Sequence, residues 1–167
     1  MPIKAIVYTS NSGFTKQYAE MLGEKISLPI YSLKEVPRQI SKGDGIIYLG
    51  WICANHIKGF SRAAKRFSVY AVCGVGLCDT GTLTAEVRKA TNIPEQIPLF
   101  TLQGGFDRNS LKGINKFMIS MLTKGLASQS KRTAQEDRML RLLSKDANYV
   151  SKENLRDILE WYLKNRV

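Results

Sequence analysis

The sequence predicts an α/β fold: three layers around a doubly wound, five-stranded parallel sheet of order 2-1-3-4-5. Three observations lead there. Short apolar runs alternate with segments of helical periodicity. The runs are apolar on both faces, as strands of a parallel sheet covered by helices on each side must be. Five such runs lie before residue 105, a number that suits the doubly wound order.

Residues 3–8 form the first run, rich in branched side chains, and it ends in the polar stretch Thr9-Ser10-Asn11-Ser12-Gly13. Phe14, Tyr18, Leu22 and Ile26 then recur every fourth residue and predict a helix over 14–26. A short second strand follows at 28–32, and one or two helical turns at 35–41. Gly43-Asp44-Gly45 marks a turn into the third strand, 45–50, centred on Ile46-Ile47-Tyr48-Leu49. A helix is expected over 57–67 and a fourth strand over 68–75, where Val69, Ala71 and Cys73 alternate with Tyr70 and Val72. A helix over 82–90 leads to the fifth strand, 98–103, stopped by Gly104-Gly105.

Beyond residue 105 the pattern becomes helical. Ile114, Phe117, Met118, Met121 and Leu122 fall on one apolar face, with Lys112, Lys116 and Lys124 off it. A polar stretch at 128–137 precedes a short helical segment at 139–143. Ser151 reads as the N-cap of a closing helix to Lys164, whose face is Leu155, Ile158, Leu159, Tyr162 and Leu163. No linker-like or repetitive tract interrupts the chain, so residues 1–167 are expected to form one domain, with 106–145 as a basic helical insert.

Composition bounds the function. With 44% hydrophobic and 23% charged residues, the 167-residue chain can bury a core without staples. Cys53, Cys73 and Cys78 are odd in number, and no secretion signal opens the chain, so free thiols in the cytoplasm are expected. Their spacing fits neither a metal knuckle nor a dithiol motif, and small buried side chains are the simpler expectation. One histidine, His56, cannot build a multi-histidine metal site. No run approaches the roughly 20 apolar residues that span a bilayer. The net charge of +11 is uneven: residues 106–145 hold +6, against +5 for the 105 residues before them. Such a segment is either a solvated basic face or a contact for anionic partners.

The stretch Tyr8-Thr9-Ser10-Asn11-Ser12-Gly13-Phe14-Thr15 carries the chemistry. It joins the first strand to the first helix, where unpaired N–H groups and the helix dipole favour an anion. Four hydroxyls add donors, and Gly13 permits close backbone approach. The lysine and length of a triphosphate loop are missing, as is dinucleotide glycine spacing, so a terminal monophosphate suits it better. An ordinary Ser/Thr-rich turn is the alternative.

Ser10, Ser12, Gly13 and Thr15 match [ST]-x-[ST]-G-x-T, and here the chain resembles the flavodoxin-like family over residues 3 to about 105 and the closing helix. The resemblance implies FMN as cofactor, its phosphate on Thr9, Ser10, Asn11, Ser12, Gly13, Phe14 and Thr15. In that family the loops after strands three and four sandwich the flavin ring. The matching residues are Trp51, Ile52, Cys53, Ala54 and Asn55, then Val75, Gly76, Leu77 and Cys78, with Trp51 placed to stack on the ring.

Gly104-Gly105-Phe106, followed by Phe117-Met118-Ile119 in a basic helix, is similar to the flavodoxin-like, quinone-dependent protoporphyrinogen oxidases. That likeness implies a heme-biosynthetic oxidoreductase with a porphyrinogen substrate and a membrane quinone as acceptor. The segment 106–132, with its apolar helix face flanked by basic residues, is expected to be a peripheral contact for an anionic membrane or a substrate-docking element, the alternative being that the face packs on the protein's own body. Phe106-Asp107-Arg108 stands where that family has an aromatic and basic loop, although this segment holds fewer aromatics. Nucleic acid is not an expected partner. A soluble FMN electron carrier is the second reading, but such carriers are typically acidic. A flavin-free basic binding module is the third, and the intact hydroxyl loop speaks against it. A receiver domain is excluded because Thr9-Ser10 and Gly50-Trp51 stand where it needs acidic residues.

Overall fold

A computed structural model describes residues 2–107, 109 and 113–165. It is an α/β structure with a mostly parallel sheet. Strand β1 (Ile3–Thr9) leads to helix α1 (Phe14–Ile26), β2 (Ile30–Ser32), β3 (Gly45–Cys53) and β4 (His56–Ile57). Helix α2 (Phe60–Arg66), β5 (Ser68–Gly76), α3 (Thr84–Thr91), β6 (Leu99–Gln103) and β7 (Gly105–Phe106) follow. Helices α4 (Gly113–Ser128) and α5 (Ala134–Ser144), β8 (Ala147–Asn148), a 3-10 turn (Glu153–Leu155) and α6 (Arg156–Asn165) complete it. The sheet runs β2-β1-β3-β5-β6, all parallel, with β4 folded back antiparallel on the end of β3. A separate antiparallel pair joins β7 to β8.

Alternation along β1, β3 and β5 feeds two cores, reset by irregularities at Lys4 of β1 and Tyr70 of β5 that put Ile3 and Ala5, and Val69 and Ala71, on opposite faces. Ala5, Val7, Ile46, Tyr48 and Val72 point to one face, where Phe60 and Ala63 of α2 and Val87 of α3 pack. Ile6, Ile47, Leu49, Ala71 and Cys73 point to the other, under Tyr18, Ala19 and Leu22 of α1, Leu155 of the 3-10 turn and Ile158 of α6. Each large side chain buried there contributes about 1.5–3 kcal/mol. Leu159 and Tyr162 of the expected α6 face also pack on this core, whereas Leu163 is exposed. Trp161 takes part instead, its ring 6.4 Å from that of Phe100.

Several boundaries move for identifiable reasons. Residues 35–41 form turns rather than a helix, because Pro37 has no N–H to donate and disfavours a helical Val36. Ser27, in the left-handed region, ends α1, and Leu28 donates back to Gly23 O at 3.1 Å, so β2 begins only at Ile30. The third strand continues through Trp51, Ile52 and Cys53. Ala54 and Asn55 then adopt φ of 48° and 62°, the two-residue turn that reverses a tight hairpin into β4. Ile57 therefore belongs to a strand, and α2 starts three residues later than its apolar pattern suggests. Helix α5 starts inside the stretch read as polar, because Thr133 and Glu136 form a reciprocal capping box. Ser151 is not the N-cap of α6: a 3-10 turn with Lys152 at its N-cap precedes that helix, and Ser151 Oγ accepts from Glu153 N at 3.2 Å, at the start of that turn.

Arg108 and Lys112 lie outside the described residues, as do the side chains of Ile114, Lys116 and Met118. The described remainder of the expected α4 face is exposed: Phe117, Met121 and Leu122 are 65%, 60% and 47% exposed. Burial falls instead on Ile119, half-buried, and Leu126, buried, neither of them on that expected face. Among the described residues no helix is long and apolar enough to cross a membrane.

Two buried phenols fix the ends of these elements. Tyr18 donates to Gln103 O at 2.5 Å and accepts from Asn154 Nδ2 at 2.6 Å, tying α1 to β6 and the C-terminal segment. Tyr48 lies 2.7 Å from Lys58 O and 2.8 Å from Thr9 Oγ1. A carbonyl only accepts, so Tyr48 donates to Lys58 and Thr9 donates to Tyr48. Gly59, at φ 85°, runs directly over this pair, and a Cβ there would collide with both hydroxyls.

Burial, only partly offset by the Thr9 hydrogen bond and the charge of Arg62, pushes the Tyr48 phenol up to about 12. The folded protein thus holds Tyr48 neutral where the unfolded chain, with a phenol near 10, ionises. Stability from this group is complete below pH 10 and declines as pH rises toward 12, by about 2–3 kcal/mol. Urea unfolding should show Tyr48→Phe less stable at neutral pH by about 1–3 kcal/mol. The variant should also fall less steeply than wild type between pH 10 and 12.

Candidate functional site

All strands of the parallel sheet point their carboxyl ends to one edge, which is where such sheets bind ligands. The loops after β1, β3, β5 and β6 meet there around a cavity of about 480 Å³, within the range of roughly 300–1,000 Å³ usual for cofactors and small molecules. Asn11, Ser12, Phe14 and Thr15 line it from the first loop and α1. Trp51, Ile52, Cys53, Ala54 and Asn55 line it from the end of β3 and the hairpin turn. Val75, Gly76, Leu77 and Cys78 line it from β5 and its loop. Thr9, Ser10 and Gly13 instead face a second cavity of about 490 Å³, and Asn11 borders both.

The first loop leaves the start of α1 open on one side. Gly13, at φ 89°, precedes α1, and Ser10 Oγ accepts its N–H at 3.1 Å. Gln17 N–H is the first of the helix to reach a backbone acceptor, Gly13 O at 3.0 Å. Those of Phe14, Thr15 and Lys16 stand at the open helix start, and no acidic side chain occupies the first turn. Thr15 is only 1% exposed, at the base of the cavity. Thr9 differs from the other hydroxyls: its proton goes to Tyr48, so it can offer a ligand only lone pairs.

Trp51 sits within β3 rather than after it, in register with Val75 of β5, and it is half-buried. The hairpin beyond it is pinned by Thr91, whose Oγ1 accepts from Ile57 N at 3.0 Å and reaches Asn55 O at 3.4 Å. The loop after β5 is stitched to β6 by four hydrogen bonds. Gly81 N donates to Thr101 O (2.9 Å), Thr101 Oγ1 to Thr82 O (2.8 Å), Gln103 N to Thr80 Oγ1 (3.0 Å) and Gln103 Nε2 to Leu77 O (3.3 Å). Both walls of the cavity are therefore tied by hydrogen bonds to neighbouring elements.

Its roof was not legible from the loops. Phe106, with Ile119 and Leu122 of α4 and Met139 and Leu143 of α5, closes the apolar side. The four-residue spacing of Met139 and Leu143 shows a helix face but not which surface it meets. An ionic contact also ties α5 to the cavity rim: Arg138 Nη2 donates to both carboxylate oxygens of Asp79, in the loop after β5.

The cysteines divide. Cys73 is fully buried in the core, and burial pushes its thiol far up. Cys78 lines the cavity; burial, and then the charge of Asp79, raise its thiol against the opposing pull of Arg138. Both are held as neutral thiols, poor nucleophiles. Cys53 also lines the cavity, so only Cys73 is a wholly buried packing residue. Among the described residues no three His, Cys, Asp or Glu side chains cluster to hold a metal.

The chain matches no protein-family model, no curated protein and no solved structure.

The Asp79–Arg138 pair is partly exposed, and such pairs contribute at most about 1 kcal/mol to global stability. Arg138→Ala should therefore leave the urea midpoint almost unchanged. It should instead speed hydrogen exchange along residues 134–144, while amides of β3 and β5 keep their protection.

Proposed function

We propose that the protein is an FMN-binding oxidoreductase of flavodoxin-like architecture. The observation that carries this reading is the convergence of the hydroxyl-rich loop after β1 with the ends of β3 and β5 on one largely apolar cavity. The strand order β2-β1-β3-β5-β6 supports it, because it places that loop beside the switch point where doubly wound sheets bind flavin. The cavity's chemistry also fits. Ser12, Thr15 and the N–H groups at the start of α1 suit a phosphate, and Trp51, Ile52, Val75 and Leu77 offer apolar area for a flat ring. Bound there, the flavin would supply one- and two-electron transfer; the chain's part is to hold it and exclude water.

Adding FMN to the purified protein should quench flavin fluorescence and produce a shifted visible spectrum. Trp51→Ala should lose much of that quenching. Gly13→Val and Thr15→Val should each weaken FMN binding, the latter by about 1.5–3 kcal/mol, as for a lost hydrogen bond to a charged group. No flavin bound by the wild-type protein, or unchanged affinity in all three variants, would remove this reading.

Within that class, we read the protein as a flavoenzyme that meets a membrane peripherally, as a protoporphyrinogen oxidase-like enzyme with a quinone acceptor would, rather than as a soluble carrier. The specific observation is α4, which leaves Phe117 and Met121 exposed beside exposed Lys124 in the most basic part of the chain. Near an anionic surface each lysine adds about 1 kcal/mol, decaying within a Debye length. Co-sedimentation with anionic vesicles should fall steeply as salt rises and drop in Phe117→Ser/Met121→Ser protein. No co-sedimentation with either neutral or anionic vesicles at low salt would favour the soluble carrier.

A further inference from the structure

Two of the three cysteines are set apart from the packed interior. Cys73 lies among the buried side chains under α1, whereas Cys53 and Cys78 belong to neither core. Both are half-buried and line the cavity, Cys53 from the end of β3 and Cys78 from the loop after β5. Those two walls adjoin. Trp51 is in register with Val75, and a Cβ placed on Gly76 would lie 3.4 Å from Ile52 Cβ. The two chains therefore still run side by side one residue before Cys53 and two before Cys78. Neighbouring strands lie about 4.8 Å apart and advance about 3.3 Å per residue. A one-residue offset across such a pair separates the Cα atoms by about 6 Å, inside the roughly 4.4–6.8 Å that a disulfide spans.

We propose that Cys53 and Cys78 are a reversible dithiol switch whose disulfide closes the cavity between the ends of β3 and β5. The oxidant is a low-molecular-weight disulfide such as oxidised glutathione. The Cys53 thiolate attacks one of its sulfurs, forming a mixed disulfide and releasing one small thiolate. Cys78 then loses its proton to solvent and attacks the Cys53 sulfur, releasing the second. Two protein thiols become one disulfide, and two electrons and two protons pass to the oxidant, which leaves as two thiols. Burial and Asp79 keep Cys78 protonated, which suits it to the second step, where proximity compensates for weak nucleophilicity. What the bridge shuts out rests on the flavin reading. A flat ring sandwiched between two walls needs about 7 Å, two van der Waals contacts, whereas a bridge holds the two sulfurs about 2 Å apart.

Reduced protein equilibrated in glutathione buffers of rising oxidised fraction, then alkylated and digested, should yield a peptide linking Cys53 to Cys78. Titration of the same samples with FMN, read by flavin fluorescence, should show affinity falling by about tenfold or more on bridging and returning with dithiothreitol. In Cys53→Ser/Cys78→Ser protein the glutathione ratio should no longer change FMN affinity. Separate glutathione adducts on the two cysteines without a linking peptide, or bridged protein that binds FMN as the reduced form does, overturns the switch. If the reduced protein binds no flavin, the flavin reading fails. The switch then stands if the linking peptide forms and bridging excludes the apolar dye anilinonaphthalene sulfonate from the cavity, and fails otherwise.

Discussion

Tyr48 carries its hydroxyl into an otherwise apolar layer, and the arrangement of the ligand edge follows from how that one polar atom is satisfied. Its single proton goes to Lys58 O and its lone pair takes the Thr9 proton. The relay therefore joins the last residue of β1, the middle of β3 and the chain entering α2. A buried phenol without these partners would cost about 1–3 kcal/mol, so the three segments are held at fixed spacing. Gly59 is the price of the closeness, since nothing larger passes over the two oxygens. With the floor fixed, the loop after Thr9 stands as a partition, with one cavity on each side.

The layering was readable in the sequence because its signal is strong and local. Two-face apolar runs such as Ile46-Ile47-Tyr48-Leu49 have no stable place except between two helix layers. The loops after β1, β5 and β6 were visible as composition breaks, whereas β3 runs on through Trp51, Ile52 and Cys53, where a loop was expected. What escaped was set by pairings distant in sequence. Nothing near Ala54 or Asn55 announces a hairpin of this type, since neither is the glycine that usually tolerates a left-handed turn. The division of the hydroxyls was likewise hidden, because Thr9 reads as one more donor until Tyr48 is seen to take its proton. The capping box at Thr133 and Glu136 was a legible signal, masked by the polar residues around it.

The part of the chain beyond β6 follows different rules from the sheet. Helices α4 and α5 pack on each other and contribute only a few apolar side chains to the cavity roof, while Phe117 and Met121 stay in water. Helix α5 reaches the loop after β5 through a charge pair that screening by salt weakens, unlike the hydrogen bonds stitching that loop to β6. The cavity thus has walls joined by hydrogen bonds and a roof joined by apolar side chains and a salt-sensitive pair.

The antiparallel pairing of β7 and β8 sets Gly105 opposite Asn148 and Phe106 opposite Ala147. Everything between therefore leaves the sheet edge and returns to it at nearly one point, as a side branch does from a stem. The cost of closing such an excursion grows only with the logarithm of its length. Evolution could lengthen, shorten or rewrite this stretch without disturbing the order of the strands or the seating of α6. The sheet and the excursion can accordingly diverge at separate rates, the first constrained by packing on both faces and the second by whatever meets its surface.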